Sequence, residues 1–206
     1  MNWVLAALLS FVLGAVPSGL WIGRAVRGVD VREHGSGNLG ATNVYRTLGP
    51  AWGIAVLLLD AGKGVAAVLI ARAVGAGEGH ALAAGIVGMV GAALGHMFTP
   101  FARFRGGKGV ATLAGAWATL APITLAIALL AWIATFAITR VVSLASILAA
   151  VVLPLAAALT VGFADPRFFI AIVVASLLIL RHRSNLTRLR RGEEPRLDLR
   201  GPRTRP

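Results

Sequence analysis

Apolar runs of about twenty residues recur along the chain and alternate with short polar stretches. A helix of that length crosses the hydrocarbon core of a bilayer, which is about 30 Å thick. The pattern therefore predicts an all-α integral membrane protein, a compact bundle of about seven transmembrane helices, some of them short. The predicted segments are 2–21, 52–74, 80–98, 108–120, 123–139, 141–163 and 168–180.

The number of full crossings depends on the stretch from 110 to 139. Pro122 divides it, since a proline ends a helix near the residue before it. The division predicts seven spans, with the N-terminus outside and the C-terminus cytoplasmic, and it places the loops rich in Arg and Lys on the cytoplasmic face. The alternative is five spans, with the two short segments not crossing fully.

Composition supports a membrane protein and excludes several chemistries. The chain of 206 residues is 57% hydrophobic and 14% charged and contains no cysteine, so disulfides and thiolate catalysis are excluded. Its four histidines and eight acids are scattered, and we expect neither a metal site nor a cofactor. The net charge of +12 is concentrated near the C-terminus, where it is expected to face anionic lipid rather than nucleic acid.

Three polar blocks interrupt the apolar pattern: a first block at 35–46, a second at 103–112 and a third at 181–185. All three are rich in hydrogen-bond donors and contain no carboxylate. Donors and cations without acids are typical of sites that hold phosphate. With seven spans, the blocks share the cytoplasmic face, which predicts a phosphate-binding site there.

The first block combines glycines, which let a backbone approach a ligand closely, with polar side chains. We favour a substrate-binding loop over a plain linker, because function concentrates on loops. Arg46 is expected to clamp phosphate with two hydrogen bonds. The groups expected to orient hydroxyl or phosphoryl oxygens are Ser36, Asn38, Thr42 and Asn43, and Gly37 is a further expected substrate-binding residue.

The second block is similar to a phosphate loop but is not a Walker A motif, since Gly109 follows Lys108. Nucleotide hydrolysis is therefore not expected. Gly106 and Gly107 are expected to present backbone N–H groups, Lys108 a point charge, and the following helix its positive end. Thr112 lies within the first turns of that helix.

Ionisable residues occur in the third block and inside one predicted span. His182 and Asn185 are three positions apart, which predicts one shared helical face. His182 could orient an alcohol, act as a base or donate a hydrogen bond. Asp60 and Lys63 lie at membrane depth, where they either serve function or pair with each other.

The blocks resemble those of the bacterial acyl-phosphate:glycerol-3-phosphate acyltransferases, integral membrane enzymes of phospholipid synthesis. The resemblance covers nearly the whole chain in the family's order, and Arg105 stands where a lysine is common. The matching positions are 35–44, 95–98, 104–112, 181–186, 188–189, Gly192 and Glu194. Less specific matches are Asp60, Lys63, Gly64, Arg140, Ser143 and Ser146.

The resemblance implies transfer of a fatty acyl group from acyl phosphate to the 1-hydroxyl of glycerol 3-phosphate, giving lysophosphatidic acid and phosphate. It implies a cytoplasmic active site in the bacterial inner membrane. We expect one membrane-embedded domain over 1–194 and a basic flexible tail over 195–206; the oligomeric state stays open, with a monomer as one option. The catalytic residues implied are Ser36, Lys108, His182 and Asn185. Further substrate-binding residues implied are Lys63, Gly109, Thr112, Arg140, Ser143 and Glu194.

We expect direct attack by the glycerol hydroxyl, because acyl phosphate is already activated and Ser36 has no base beside it in sequence. The proton could go to His182 or to the departing phosphate. The His-x-x-x-x-Asp pattern of other glycerolipid acyltransferases is absent. The alternative function is a proton-coupled transporter of an organic phosphate, with Asp60 as the coupling group.

Overall fold

The computed structural model describes residues 2–75 and 79–199. Three residues between the predicted spans 52–74 and 80–98, where we expect a short turn over 75–79, and the last seven residues of the basic tail lie outside the described residues. The ten α-helices of the described part are α1 Trp3–Ala15, α2 Ser18–Arg27, α3 Ala41–Leu48, α4 Pro50–Gly75, α5 Ala81–Met97, α6 Val110–Leu120, α7 Pro122–Thr139, α8 Val142–Thr160, α9 Pro166–Arg181 and α10 Arg183–Arg190. Short 3-10 helices cover Val31–Glu33 and Pro100–Ala102.

The all-helical membrane fold predicted from the apolar pattern is confirmed. Five helical stretches are long and apolar enough to cross a membrane, or six if the bent pair of α9 and α10 counts as one span. α6 has 11 residues, so at 1.5 Å per residue it covers roughly half of a bilayer core. Each of the seven predicted segments contains a helix, and Pro122 divides α6 from α7 as expected.

Two details of the prediction are wrong, both because a helix breaks. The first segment is not one helix: α1 ends at Ala15, and Pro17, which has no N–H, caps α2. α9 ends in the third block at Arg181, and α10 follows it at an angle of 60°. His182 lies in that break, so His182 and Asn185 do not share one continuous helical face.

The described residues divide into two compact units, and the first comprises 2–75, 79–120 and Leu199. Within it α1 packs on α4 and α5, and α4 packs on α5 and α6. The backbones touch: a Cβ built on Gly64 would lie 1.9 Å from the Thr112 carbonyl oxygen, and one on Gly115 would lie 1.9 Å from that of Ala61. Small residues therefore allow the close helix contacts expected in a membrane.

The second unit is Ala121–Asp198, in which α8 packs on both α7 and α9. Two side-chain hydrogen bonds join α7 to α8, one between the start of α7 and the end of α8, the other between the middle of α7 and the first turns of α8. The hydroxyl oxygens of Thr124 and Thr160 lie 2.6 Å apart, and Trp132 Nε1 donates to Ser146 Oγ at 3.1 Å. The single domain over 1–194 and the flexible tail stay predictions beside this division.

Candidate active site

Asn43 organises the first block. Its Nδ2 donates to the carbonyl oxygens of Val31 at 2.7 Å and Asn38 at 2.8 Å, and its Oδ1 accepts from the Ser36 N–H at 2.8 Å. A Cβ on Gly35 would lie 2.4 Å from that Oδ1, and Gly35 has a φ of +58°, so glycine is required there. The buried amide of Asn43 thus holds the loop in shape, a role that sequence reasoning missed.

The other side chains of the first block that are predicted to bind substrate lie before and after Asn43 in the sequence. Asn43 belongs to α3, which also carries Thr42 and Arg46 four positions apart and therefore on one face. Both are half-buried, whereas Ser36 is exposed. Asn38 turns its Oδ1 to the Gly40 N–H at 2.8 Å, at the start of α3. α3 therefore carries a hydroxyl and a guanidinium on one face, and their contact with a phosphate stays a prediction.

The second block folds back onto the end of α5. The Gly106 N–H donates to the Met97 carbonyl oxygen at 3.1 Å, and the Gly107 N–H donates to that of His96 at 3.1 Å. The expectation that these two N–H groups face a ligand is therefore wrong. They satisfy carbonyls at the helix end, which would otherwise lack partners. Glycine serves here to bring two backbones together.

The cation and the hydroxyl predicted to bind substrate in the second block follow these two glycines in sequence. Lys108 is half-buried, and Gly109, with a φ of +86°, leads into α6. The first amides of α6 point out of its N-terminal end. Within the described part of the chain, the buried Thr112 hydroxyl has no hydrogen-bond partner. A cation and a buried hydroxyl thus flank the start of α6.

Asp60 and Lys63 pair with each other, one of the two interpretations that the sequence left open. Lys63 Nζ lies 3.0 Å from Asp60 Oδ1 and donates to the Val16 carbonyl oxygen at 3.0 Å. Ser18 Oγ donates to the same carboxylate oxygen. His96 Nδ1 lies 3.9 Å from it. All four side chains are buried, and substrate binding by Lys63 stays a prediction.

In the second unit, Glu194 gathers three donors. Its Oε1 accepts from Ser143 Oγ at 2.7 Å and from Asn185 Nδ2 at 2.6 Å, and its Oε2 accepts from Arg188 Nε at 2.7 Å. Desolvation opposes ionisation, yet the hydrogen bonds from these three donors outweigh it and lower the pKa of the Glu194 carboxyl. The carboxylate ties α8 and α10 to the segment after α10, and its contact with substrate stays a prediction.

His182 is buried in the break between α9 and α10. Its Nδ1 lies 2.8 Å from the Leu178 carbonyl oxygen. A carbonyl only accepts, so Nδ1 carries the hydrogen, and Nε2 of the neutral ring is the nitrogen able to take up a proton. The bend therefore fixes one tautomer of the residue that the sequence selected as a possible base.

Arg140 ends α7 with a φ of +59°, a left-handed conformation that is uncommon for a residue other than glycine. Its carbonyl oxygen accepts from the Leu197 N–H at 2.8 Å, and its exposed guanidinium lies over the Phe136 ring. The predicted site residues in the first unit are Ser36, Gly37, Asn38, Thr42, Asn43, Arg46, Lys63, Gly106, Gly107, Lys108, Gly109 and Thr112. Those in the second are Arg140, Ser143, His182, Asn185 and Glu194.

Sequence reasoning missed Ser18 and Arg188 as partners of buried acids. Asp60 lies 42 positions from Ser18, so no local pattern links them. The available signal was general: a carboxylate inside a span requires donors, and polar residues at the ends of neighbouring helices are the candidates. Arg188 lies six positions before Glu194, and its charge next to the third block was the corresponding signal.

Known proteins match this chain over nearly its whole length. A family model described as glycerol-3-phosphate acyltransferase matches residues 4–192. A glycerol-3-phosphate acyltransferase of Desulforudis audaxviator is 47% identical over 198 residues, covering 96% of this chain and 96% of the relative. One of Geobacter sulfurreducens is 43% identical over 202 residues, covering 95% and 98% respectively.

Crystal structures of PlsY (YgiH), an integral membrane glycerol 3-phosphate acyltransferase, are also similar. Its glycerol 3-phosphate form superposes with a TM-score of 0.86 at 37% identity, covering 96% of each chain. Its lysophosphatidic acid form gives a TM-score of 0.83 at 36% identity, covering 97% of each chain. With the family model and the curated relatives, these likenesses show that the chain belongs to the glycerol-3-phosphate acyltransferase family.

Proposed function

We propose that this acyltransferase of phospholipid synthesis moves a fatty acyl group from acyl phosphate to the 1-hydroxyl of sn-glycerol 3-phosphate. Glycerol 3-phosphate is proposed as the acyl acceptor because the similar protein has been crystallised in two ligand forms. One is a glycerol 3-phosphate form and the other a lysophosphatidic acid form, which are the acceptor and the acylated product of one reaction. Thr42 and Arg46, on one face of α3, are the groups that we assign to a substrate phosphate.

Acyl phosphate is proposed as donor on the resemblance of the three blocks and on chemistry. A mixed anhydride carries its own leaving group, so transfer needs neither a cysteine nor an acyl-enzyme intermediate, and this chain has no cysteine. It also brings a second phosphate to the enzyme. The second block, with Lys108, the start of α6 and the Thr112 hydroxyl, is the part that we assign to that phosphate.

In the proposed reaction, the 1-hydroxyl oxygen attacks the acyl carbonyl carbon to form a tetrahedral intermediate. The bond from that carbon to the phosphate oxygen then breaks, the ester forms and inorganic phosphate leaves. The hydroxyl proton goes either to His182 Nε2 or to the departing phosphate. Donors around the carbonyl oxygen stabilise the charge that develops on it.

The test uses purified protein in detergent with labelled glycerol 3-phosphate and three donors in parallel: an acyl phosphate, an acyl-coenzyme A and an acyl carrier protein thioester. We expect lysophosphatidic acid and phosphate from acyl phosphate alone. Product from a thioester but not from acyl phosphate would refute the donor. If no donor gives product while vesicles with the protein take up glycerol 3-phosphate, the protein is the transporter considered above.

Lys108→Ala tests the assignment of the second block. Removing the charge should lower kcat/KM by about a hundredfold, about 2.7 kcal/mol of transition-state stabilisation. The matched control is Arg27→Ala, which removes an exposed cation at the end of α2 in the same unit. Equal activity of both variants would contradict the phosphate-binding role of Lys108.

His182→Ala separates the two proton routes. A loss of about 10² or more in kcat identifies His182 as the base, whereas a loss of about tenfold or less assigns the proton to the departing phosphate. A base also leaves its mark on the pH profile, which flattens below neutral pH in the variant. Measuring kcat at saturating concentrations of both substrates excludes effects of the substitution on substrate binding.

We propose further that the three blocks face the cytoplasm at the bacterial inner membrane. The chain contains no cysteine, so single cysteines can report sidedness. Ser184→Cys in the third block and Ala164→Cys before α9 both replace exposed residues. A membrane-impermeant maleimide should label Ala164→Cys in intact cells and Ser184→Cys only in inverted vesicles; the opposite pattern would reverse the topology.

A further inference from the structure

The His96 side chain lies between a buried ion pair and the second block. On one side, its Nδ1 is 3.9 Å from Asp60 Oδ1. On the other, its ring stands against Gly107: a Cβ built there would lie 2.1 Å from Nε2, 2.9 Å from Cε1 and 3.1 Å from Cδ2. The ring therefore occupies the space into which any side chain at position 107 would point.

The ring itself has little freedom to move. His96 is 8% exposed, and Asp60 behind it is held by Ser18 Oγ and by Lys63 Nζ at 3.0 Å. Lys63 in turn donates to the carbonyl oxygen of Val16, between α1 and α2. Residues at the start of α2 and in the middle of α4 thus fix the Asp60 carboxylate, beside which the His96 ring lies.

Gly106 differs from Gly107 in what it touches. A Cβ on Gly106 would lie 2.0 Å from the His96 carbonyl oxygen and 2.7 Å from the carbonyl carbon of Met97, both backbone atoms. The two glycines therefore approach the end of α5 in different ways, Gly106 against its backbone and Gly107 against the imidazole. Only the second contact can be changed by substituting a side chain.

We propose that His96 is a positioning residue for phosphate binding: its ring, set beside Asp60, fixes the path of the backbone from Gly107 to Lys108. The inference rests on the proposed function, since it takes the second block to bind a substrate phosphate. His96 acts through Gly107 and not on the reacting atoms. A shift of about 1 Å in such a group is enough to cost a large factor in binding or rate.

The first experiment measures KM for glycerol 3-phosphate and for acyl phosphate separately. In His96→Ala, one of the two KM values should rise about tenfold, while kcat changes by less than about threefold, because only the placement of a phosphate-binding cation is lost. Because the second block is assigned to acyl phosphate, the KM for acyl phosphate is the one expected to rise. A rise in the KM for glycerol 3-phosphate would support the role of His96 and move that assignment to glycerol 3-phosphate. His96→Gln, which keeps a planar polar group of similar reach, should restore that KM to within about threefold of the native value.

The second experiment is a double-mutant cycle. Gly107→Ala alone should lower kcat/KM about tenfold, because its methyl group meets the imidazole and displaces the loop. In the His96→Ala background the ring is gone, so the same methyl group should cost less than about twofold. Gly106→Ala is the matched control: its methyl group meets backbone atoms that His96→Ala retains, so its cost should be equal in both backgrounds.

The outcomes separate this inference from the proposed function. If the native protein makes no lysophosphatidic acid from acyl phosphate, the proposed function fails. If it does, the inference is overturned when neither KM rises in His96→Ala, when kcat falls at unchanged KM, or when Gly107→Ala costs the same in both backgrounds. Thermal unfolding midpoints of all variants in detergent verify that each is folded before kinetics are compared.

Discussion

Replacing Glu194 should destabilise the second unit in a graded way that its hydrogen bonds determine. Two of its three donors, Ser143 and Asn185, share Oε1, whereas Arg188 uses Oε2. Glu194→Ala removes all three bonds. Glu194→Gln keeps an oxygen for the first two donors but turns an NH₂ group towards Arg188 Nε, so that two donors face each other.

The magnitudes follow from burial. Ser143 and Asn185 are 6% and 4% exposed, and each unsatisfied buried polar group costs about 1–3 kcal/mol. The Arg188 side chain is 34% exposed, so its ion pair contributes only about 0–1 kcal/mol. Glu194→Ala should therefore lower the free energy of unfolding by about 2–7 kcal/mol, and Glu194→Gln by about 1–2 kcal/mol.

Thermal unfolding in detergent, followed by tryptophan fluorescence, measures this order. Glu193→Gln is the matched control, because it removes a neighbouring, exposed carboxylate. For a chain of this length, about 1 kcal/mol corresponds to about 2–4 °C, so Glu194→Ala should unfold at least about 4 °C below Glu193→Gln. Equal midpoints for these two variants would refute the assignment of Glu194 as a structural centre.

The stability that Glu194 contributes depends on pH, and the sign of this dependence follows from the direction of its pKa shift. The pKa of Glu194 is lowered from its ordinary value of 4.5, because the hydrogen bonds from its donors outweigh desolvation. A group with a lowered folded-state pKa stabilises the native protein above its unfolded-state pKa and loses that contribution as the pH falls through the folded-state value. The difference in stability between native protein and Glu194→Gln should therefore shrink as the pH drops below 4.5.

Two further predictions concern the first unit. The hydrogen bonds from Arg32 lower the pKa of Asp30 from its ordinary value of 3.8 to about 2. The Asp30 carboxylate therefore contributes about 1 kcal/mol, after solvent screening, to the stability of the folded protein above pH 3.8, and this contribution is lost as the pH falls towards 2. Asp30→Asn should flatten acid unfolding in that window, and unchanged acid unfolding would contradict the ion pair. Gly64→Ala should destabilise the protein by about 2 kcal/mol or more, because its methyl group meets the Thr112 backbone. Gly62→Ala is the control: its methyl group enters open space and should stabilise α4 by about 0.5–1 kcal/mol. Equal thermal unfolding midpoints of the two variants would contradict the close contact at Gly64.

The helices were largely predictable because their cause is local. Apolar runs separated by polar residues determine where a chain can lie in a bilayer, and Pro122 stands at the start of α7, where the missing N–H is not needed. The break at His182 has no such mark, since neither proline nor glycine lies in 181–185. There the His182 N–H is shared between the carbonyl oxygens of Leu178 and Ile179, and the axis of α10 is inclined by 60° to that of α9.

The residue types of the candidate site were predictable, but their division of labour was not. Asn43 looks from sequence like Asn38 or Thr42, one more donor in a polar loop. Its structural role depends on Val31, 12 positions away, whose carbonyl oxygen it binds. Likewise, Glu194 accepts from Ser143 across 51 positions, a distance over which no periodicity carries information. Long-range hydrogen bonds of this kind require the folded backbone.

Two buried carboxylates, one in each unit, are each surrounded by hydrogen-bond donors of their own unit. The side chains of Asp60 and Glu194 are 3% and 5% exposed, and each faces donors of its own unit. Asp60 holds Ser18 and Lys63, and Glu194 holds three donors around the third block. A buried carboxylate is costly without such partners, so these donors account for the presence of each acid in its unit. Because each acid fixes donors from separate parts of its own unit, we expect its loss to disturb the packing of that unit.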